Sequence, residues 1–139
     1  VQLVPYLTFN GNGREAMSFY QQCLGGELQL STFGEAPMAD QLSAEARQRL
    51  MHASLSNGPL TLMASDTNEQ QQVTQGSMVT LSLNCTSREQ ITDWFDQLSA
   101  EGQVTMPLQD TFWNATFGMF TDKFGIPWML NYDHVAPQQ

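Results

Sequence analysis

The sequence has few basic residues. Five Lys and Arg stand against 14 Asp and Glu in 139 residues, for a net charge of −9. The basic residues are scattered along the chain: Arg14, Arg47, Arg49, Arg88 and Lys123. Phosphate backbones and anionic membrane surfaces attract clustered positive charge, which this sequence does not provide. We therefore expect neither nucleic acid nor a membrane as a partner.

Cysteine and histidine are equally scarce, with two of each. Cys23 and Cys85 are too few for a disulfide scaffold and lack the spacing of a metal site. Cys23 falls in a helical pattern and Cys85 at the end of a strand pattern, so we interpret both as small buried hydrophobes in a reducing compartment. His52 falls in a predicted strand, and His134 falls in the C-terminal tail, where we expect it to be solvated.

Long apolar runs are absent as well. No window reaches the length of a membrane span, and the start VQLVPYLTFN has no basic region of the kind that opens a signal peptide. With 41% hydrophobic residues, the chain can still bury an ordinary core. We expect a cytoplasmic protein.

Hydrophobic periodicity divides the chain into short elements. Strands are predicted over 3–9 and 27–33, and helices over 14–24 and after an N-capping Ser43. Asn57-Gly58 predicts a hairpin within 51–66. The polar, glutamine-rich segment 66–76 is interpreted as a solvated linker without chemistry. Beyond it we predict strands over 78–85, 103–112, 113–121 and 127–132, and a helix from Ser87 to near Gly102.

The order β-α-β-β-β thus occurs twice. The segments FYQQCLGGELQL and WFDQLSAEGQVTM align at an offset of about 75 residues, the length of one module. We predict a single α+β domain over 1–139, built of a first module (1–66), a linker (67–76) and a second module (77–139). One helix covers one face of each sheet, and the other faces are left to line a concavity.

The turn from Gly11 to Ala16 reads G-x-G-x-x-A, and Glu35 follows about twenty residues later. This pattern resembles a dinucleotide or S-adenosylmethionine fingerprint. Such a site requires parallel strands joined by helices, whereas here one helix is followed by strand after strand. We interpret the motif as an Asn-Gly turn that enters an amphipathic helix.

Three segments resemble the PhnB-like branch of the vicinal oxygen chelate superfamily: PYLTFNGNGREAMSFYQQCLGGE, HASLSNGPLTLMASD and PLQDTFWNATFGMFTDKFGIPWMLNY. That superfamily also contains glyoxalase I, bleomycin-resistance proteins and extradiol dioxygenases. The resemblance covers essentially the whole chain. It implies paired βαβββ modules forming a cup-shaped mixed sheet, the glyoxalase/bleomycin resistance/dioxygenase fold, and a homodimer. Some relatives carry the label 3-demethylubiquinone-9 3-methyltransferase.

The resemblance also bears on metal binding. Catalytic members hold a divalent metal with His and Glu side chains that face the cup, and the metal polarises substrate oxygens. In this chain the first-strand histidine would fall at Val4 or Pro5, its counterpart in the second module near Thr80 or Ser82, and the closing glutamate at Met129. None of these is a strong ligand. We therefore expect no metal and no cofactor.

Strand alternation sends a mixed set of side chains into the cup. It is apolar and aromatic, with a few hydroxyl groups and one imidazole, which suits an apolar or aromatic small molecule. The expected ligand-binding residues are Tyr6, Thr8, His52, Ser54, Met63, Trp113 and Met129.

These features favour a metal-free small-molecule-binding protein, analogous to the bleomycin-resistance proteins, which bind their ligand without chemistry. The physiological ligand stays open. The alternative is a lyase or isomerase that uses His52 as general base, with Tyr6 or Thr8 as polarising donors. A methyltransferase, as the family label suggests, is the third possibility.

Overall fold

The computed structural model describes residues 1–37, 39–68 and 72–134. The chain divides into two compact units, Val1–Thr74 and Gln75–Gln139. The first unit contains β1 (Tyr6–Phe9), α1 (Gly13–Leu24), β2 (Glu27–Thr32), α2 (Ala44–Gln48), β3 (Leu50–Asn57) and β4 (Leu60–Asp66). The second contains β5 (Leu81–Asn84), α3 (Arg88–Leu98), β6 (Gln103–Asp110), β7 (Ala115–Thr121) and β8 (Pro127–Asp133).

Each unit contains one four-stranded mixed sheet, and the two sheets have the same topology. The strand order is β1-β4-β3-β2 in the first and β5-β8-β7-β6 in the second. In each sheet the first strand pairs in parallel with the last, and the other neighbours are antiparallel. The predicted βαβββ repeat and the α+β class are confirmed.

The first core lies between α1 and one face of its sheet. Ala16, Met17 and Tyr20 recur at helical spacing on α1 and have no accessible surface. Across from them, alternate residues of β3 and β4 are equally buried: Ala53, Leu55, Leu62 and Ala64. Burying one such large apolar side chain contributes about 1.5–3 kcal/mol, so this interface holds α1 on the sheet. The residues that alternate with these along β3 and β4 point to the opposite face of the sheet.

The second core repeats this arrangement around α3. Ile91, Phe95 and Leu98 of the helix are buried. The Phe95 ring packs edge-on against Phe120 of β7, with centroids 5.0 Å apart. Gly118 makes this contact possible, because a Cβ at that position would lie 2.6 Å from Phe95. The close approach of helix and sheet therefore requires glycine there.

Three predicted strands begin later than expected. β1 starts at Tyr6 rather than residue 3, and β5 starts at Leu81 rather than residue 78. β7 starts at Ala115 rather than residue 113, because a turn occupies 111–114. In that turn Asn114 has a φ of 66°, and the Thr111 N–H donates to the Ala115 carbonyl at 2.7 Å. A left-handed backbone interrupts strand alternation, so Trp113 lies in a turn.

Both cysteines are free and buried, which confirms their interpretation as buried hydrophobes. Burial raises the pKa of the Cys85 thiol from 9.0 to about 11. Because the folded chain then holds this proton more tightly than the unfolded chain, the stability it contributes is complete below pH 9 and falls as the pH rises toward 11.

This pKa predicts slow alkylation of Cys85. In a Cys23→Ala variant at pH 8, iodoacetamide should modify the folded protein about a hundredfold more slowly than the urea-unfolded chain, since only the thiolate reacts. The rate should rise as the pH approaches 11. Mass spectrometry of timed samples measures it. Equal rates in folded and unfolded protein at pH 8 would contradict the prediction.

Candidate functional site

The face of the first sheet opposite α1, here called the first open face, collects most of the expected binding residues. Tyr6 of β1 pairs with Met63 of β4, and Met63 pairs with Ser54 of β3. Thr8 pairs with Ser65 one step along. Directly paired residues share a face of the sheet. The structure therefore brings five of the sequence-predicted residues onto one surface: Tyr6, Thr8, His52, Ser54 and Met63.

The His52 imidazole on this face contacts the phenol group of Tyr6. The Tyr6 hydroxyl and His52 Nδ1 lie 3.0 Å apart, at hydrogen-bond distance, and the ring centroids are 5.8 Å apart. Ser31 of β2 pairs directly with His52. Within the described residues no carboxylate hydrogen-bonds to His52. The arrangement orients the imidazole through Tyr6 but lacks the acidic partner that commonly orients a histidine base.

A cleft of about 610 Å³ runs along β1 at the edge of this sheet. Its walls combine hydroxyl, amide and aliphatic groups of the first unit: Tyr6, Leu7, Thr8, Thr67, Gln72, Val73 and Thr74. Tyr6 and Thr8 thus belong both to the open face and to this shallow, solvent-open depression.

The face of the second sheet opposite α3, the second open face, is more apolar. Met106, Met119 and Met129 pair in sequence across β6, β7 and β8 and form one row, here called the methionine row. Ser82 of β5 continues it by pairing with Met129. All three methionines are half-buried. The expected position of Met129, opposite the buried Trp128 and Leu130, is consistent with this register.

Trp113 reaches this face from outside the strands. It was predicted to begin a strand, which is wrong, because it lies in the 111–114 turn and is 53% exposed. Its ring nevertheless contacts Phe117 of β7, with centroids 6.2 Å apart. Phe117 pairs with Asn131 and Gln109 in the row next to the methionines. Trp113 therefore extends the second open face at one end.

Strand alternation alone does not place Met106 on this face. The register between β6 and β7 shifts twice, between Val104 and Met106 and between Met106 and Gln109. Val104 pairs with the buried Phe120, whereas Met106 pairs with Met119 on the open side. A bulge adds a residue to one strand and turns the following side chain to the other face. Pro107 lies where the second shift occurs, and a proline inside a strand indicates an edge strand or a bulge, whereas no such residue marks the first shift.

The donor set of the two open faces does not fit a divalent metal. The described residues contain no group of three His, Cys, Asp or Glu that could hold one. The candidate ligand positions of the second sheet carry Ser82 and Met129, which pair directly. A hydroxyl beside a thioether is a poor site for a Lewis-acid metal, which prefers imidazole and carboxylate.

The glycine-rich turn holds a carboxylate of the chain itself. Asp66 ends β4, as the predicted 51–66 hairpin and first module have it, but it is only 6% exposed and is not the solvated residue that its polar segment 66–76 indicated. Its carboxylate accepts the N–H groups of Gly11 and Gly13 at 3.2 and 2.8 Å, and that of Leu50 at 2.8 Å. A Cβ at Gly13 would lie 2.7 Å from Asp66 Oδ1. The glycines therefore admit Asp66, in the place where a nucleotide fingerprint would admit a phosphate.

The surroundings of this turn agree with that interpretation. A cleft of about 590 Å³ beside it is lined by side chains of both charges, Arg14 and Arg49 with Glu15 and Glu45. Glu35, the acidic residue of the apparent fingerprint, accepts the Thr32 N–H at 2.7 Å in a local 3-10 turn. These contacts use the motif for folding rather than for a dinucleotide.

His134 was expected to be a solvated residue of the tail, which is wrong. Its side chain is 18% exposed, and its Nε2 lies 2.6 Å from the Thr116 hydroxyl and 3.4 Å from Asp110. The hydrogen bond from Thr116 foremost, and then the proximity of Arg88 and His134, hold the pKa of Asp110 below its usual range. The His134 N–H also donates to the Asn114 carbonyl at 3.1 Å. The cluster ties the end of β8 to the 111–114 turn.

Residues 2–130 match the sequence model of the Glyoxalase/Bleomycin resistance protein/Dioxygenase superfamily. Protein YjdN from Escherichia coli (strain K12) is 38% identical over 146 residues, which cover 99% of each chain. The crystal structure of protein PA1353 from Pseudomonas aeruginosa is 44% identical, with a TM-score of 0.85 over 96% of this chain and 98% of that one. A PhnB protein from Bacillus cereus, named as a candidate 3-demethylubiquinone-9 3-methyltransferase, is 25% identical, with a TM-score of 0.73 over 95% and 99%.

Proposed function

The chain belongs to the Glyoxalase/Bleomycin resistance protein/Dioxygenase superfamily, and we propose that it binds an apolar or aromatic small molecule without a metal. The observation that carries this proposal is the chemistry of the open faces. The first presents hydroxyl groups and one imidazole, and the second presents thioethers and aromatic rings. The proposed ligand-binding residues are Tyr6, Thr8, His52, Ser54, Met63, Trp113 and Met129.

Half-buried side chains support this proposal. Core residues of each sheet turn toward the helix, yet Met63, Met119 and Met129 stay partly accessible on the other side. Thioethers on flexible, unbranched chains adapt to the shape of a bound apolar surface. Hydroxyl groups and an imidazole supply the few polar contacts that fix a ligand's orientation.

An acid-base enzyme is the second candidate, favoured by the hydrogen-bond distance between Tyr6 and His52. In this reaction class His52 would take a proton from the substrate while Tyr6 stabilises the developing charge. A methyltransferase is less well supported. The G-x-G-x-x-A turn, which would hold a nucleoside cofactor, donates its glycine N–H groups to Asp66 instead.

We also propose that the protein works as a homodimer. Two large apolar side chains near the edge strand β6 are exposed, Val104 and Phe112, and a second chain would cover such surface. Size-exclusion chromatography coupled to light scattering measures the mass of the protein in solution directly.

In the part of the chain that is described, no helix has the length and apolar character needed to cross a membrane.

The test of the binding function is a thermal-shift titration of chelator-treated protein. Zinc, nickel, manganese, cobalt and S-adenosylmethionine should leave the melting temperature unchanged. At least one compound of an apolar aromatic panel should raise it, since a ligand at a hundred times its Kd stabilises the folded state by about 2.7 kcal/mol. Stoichiometric metal in the untreated sample, with several degrees of stabilisation, would overturn the metal-free proposal and make His52 a ligand.

Variants localise the binding. Met129→Gln should reduce the ligand-induced shift, because it places an amide in the half-buried methionine row. Met78→Gln is the matched control, because Met78 is fully exposed outside the strands and should leave the shift unchanged. His52→Ala tests the first open face separately and should reduce the shift caused by a ligand that binds there. An aromatic ligand whose shift survives both Met129→Gln and His52→Ala would place the site elsewhere.

A further inference from the structure

We infer that the second open face recognises a neutral planar heteroaromatic ring system that carries hydrogen-bonding groups along one edge. The ring lies on the methionine row, and its polar edge meets the neighbouring row of amides. This inference rests on the proposed function and deepens it by naming the ligand class. It concerns the second unit alone.

The methionine row provides the surface for the ring. Met106, Met119 and Met129 come from three adjacent strands, and their register makes them direct neighbours. Adjacent strands lie roughly 4.8 Å apart, so the row is about 10 Å wide from end to end. Thioether sulfur contacts aromatic rings favourably, and three such groups in a line favour a flat ligand over a globular one.

An aromatic wall stands at one side of this row. Phe117 lies on the same face two residues before Met119, and the Trp113 ring packs edge-on against it at 6.2 Å. The Phe112 ring packs in turn against Trp113 at 5.0 Å. Edge-to-face aromatic packing leaves ring faces available for a further aromatic partner.

The row next to the methionines, which contains Phe117, carries amide side chains on both sides of it. Gln109, Phe117 and Asn131 pair in sequence across β6, β7 and β8, and Asn84 of β5 pairs with Asn131. Asn131 Nδ2 donates to Asp133 at 3.2 Å, and the same amide group carries an acceptor oxygen. Amides both donate and accept hydrogen bonds, so they match an imide or lactam edge.

Charge distinguishes this ligand class from others. Neither the methionine row nor the amide row contains a charged residue at its paired positions, and the carboxylate beside them, Asp133, is exposed to solvent and accepts a hydrogen bond from Asn131. Asp133 repels an anionic ring, and a cationic ring would lose hydration on the two uncharged rows for an ionic partner that solvent already screens. The recognised edge is therefore neutral.

The experiment uses protein labelled with carbon-13 at the methionine methyl groups. The full chain has eight methionines, and Met→Leu variants assign the resonances of Met63, Met106, Met119 and Met129. The probes are quinazoline-2,4-dione, which is planar with an imide edge, naphthalene, which is planar without one, and cyclohexanecarboxamide, which is not planar. Quinazoline-2,4-dione should shift the three methionine-row resonances saturably, while that of Met63, on the first open face, stays in place.

The probes are expected to rank by class. Naphthalene should bind the same methyl groups at least about tenfold more weakly, and cyclohexanecarboxamide should not shift them. Asn131→Leu should reduce the affinity for quinazoline-2,4-dione about tenfold and leave that for naphthalene unchanged. Gln29→Leu, an amide replacement on the first open face, is the control and should leave both affinities unchanged.

Failure of this inference can be separated from failure of the proposed function. Shifts confined to Met63 would overturn the inference and leave small-molecule binding intact on the first open face. If none of the four assigned methyl resonances shifts, the inference is wrong. The thermal-shift titration with the aromatic panel then tests the proposed function independently. Equal affinities for quinazoline-2,4-dione and naphthalene would refute the amide-edge recognition.

Discussion

Replacing Asp66 by alanine should destabilise the protein by about 3–5 kcal/mol, a large part of the stability of a typical domain. The carboxylate accepts three backbone N–H groups, those of Gly11, Gly13 and Leu50. Each buried donor left without an acceptor costs about 1–3 kcal/mol. The turn before α1 and the start of β3 would both lose their anchor.

Urea unfolding followed by circular dichroism measures this effect. Asp66→Asn should cost about half as much, because its amide oxygen can still accept from the glycines while its NH₂ group faces the Leu50 N–H. Asp96→Ala, an exposed position on α3, is the control and should change stability by less than about 0.5 kcal/mol. An Asp66→Ala protein as stable as the Asp96→Ala protein would show that the glycine turn does not depend on this carboxylate.

Replacing Asp122 by alanine should be comparably damaging, with a loss of about 3–4 kcal/mol. This residue is 3% exposed, in the turn between β7 and β8. Its Oδ1 accepts the N–H groups of Phe124 and Ile126 at 2.8 and 3.0 Å, and its Oδ2 accepts the Trp128 Nε1–H at 2.8 Å. The substitution leaves three donors without their acceptor.

Trp128 reports on this change directly. Loss of its hydrogen bond should alter its fluorescence emission in the folded state, and Asp122→Asn should restore part of the stability by offering one acceptor oxygen. Unfolding in urea with tryptophan detection measures both quantities, and the exposed Asp96→Ala again serves as the reference. Unchanged emission together with unchanged stability would mean that the carboxylate is not an organising element of this hairpin.

Local patterns in the sequence were sufficient for much of the fold. Helical spacing in α1 and α3 and alternation in β3, β4 and β8 depend on neighbours within a few residues, so they are readable without tertiary information. The Asn57-Gly58 turn was predicted and is confirmed, with Gly58 at positive φ. The strands predicted to end at 121 and to begin at 127 are joined by a turn in which Gly125 has positive φ. From regular strands, alternation also placed Tyr6, Thr8, His52 and Ser54 on one face.

Irregular backbone set the limit of the site prediction. The first register shift of β6, between Val104 and Met106, turns Met106 toward the open face, although simple alternation groups it with Val104. The left-handed Asn114 ends the strand pattern and places Trp113 in a turn, where it still contacts Phe117. A bulge depends on how a strand pairs with its neighbour. A residue such as Pro107 indicates an irregular strand, but it does not fix which side chains change face.

The sequence by itself determined the repeated module, the positions of the three α-helices and the scarcity of metal ligands, because these depend on residue type and short-range spacing. Only the tertiary structure decided the roles of Asp66 and His134. Asp66 binds N–H groups 53 and 55 residues away in sequence, and His134 contacts Thr116 18 residues away. A carboxylate in a polar segment looks solvated until the fold brings buried donors to it, since its burial depends on partners that are distant along the chain.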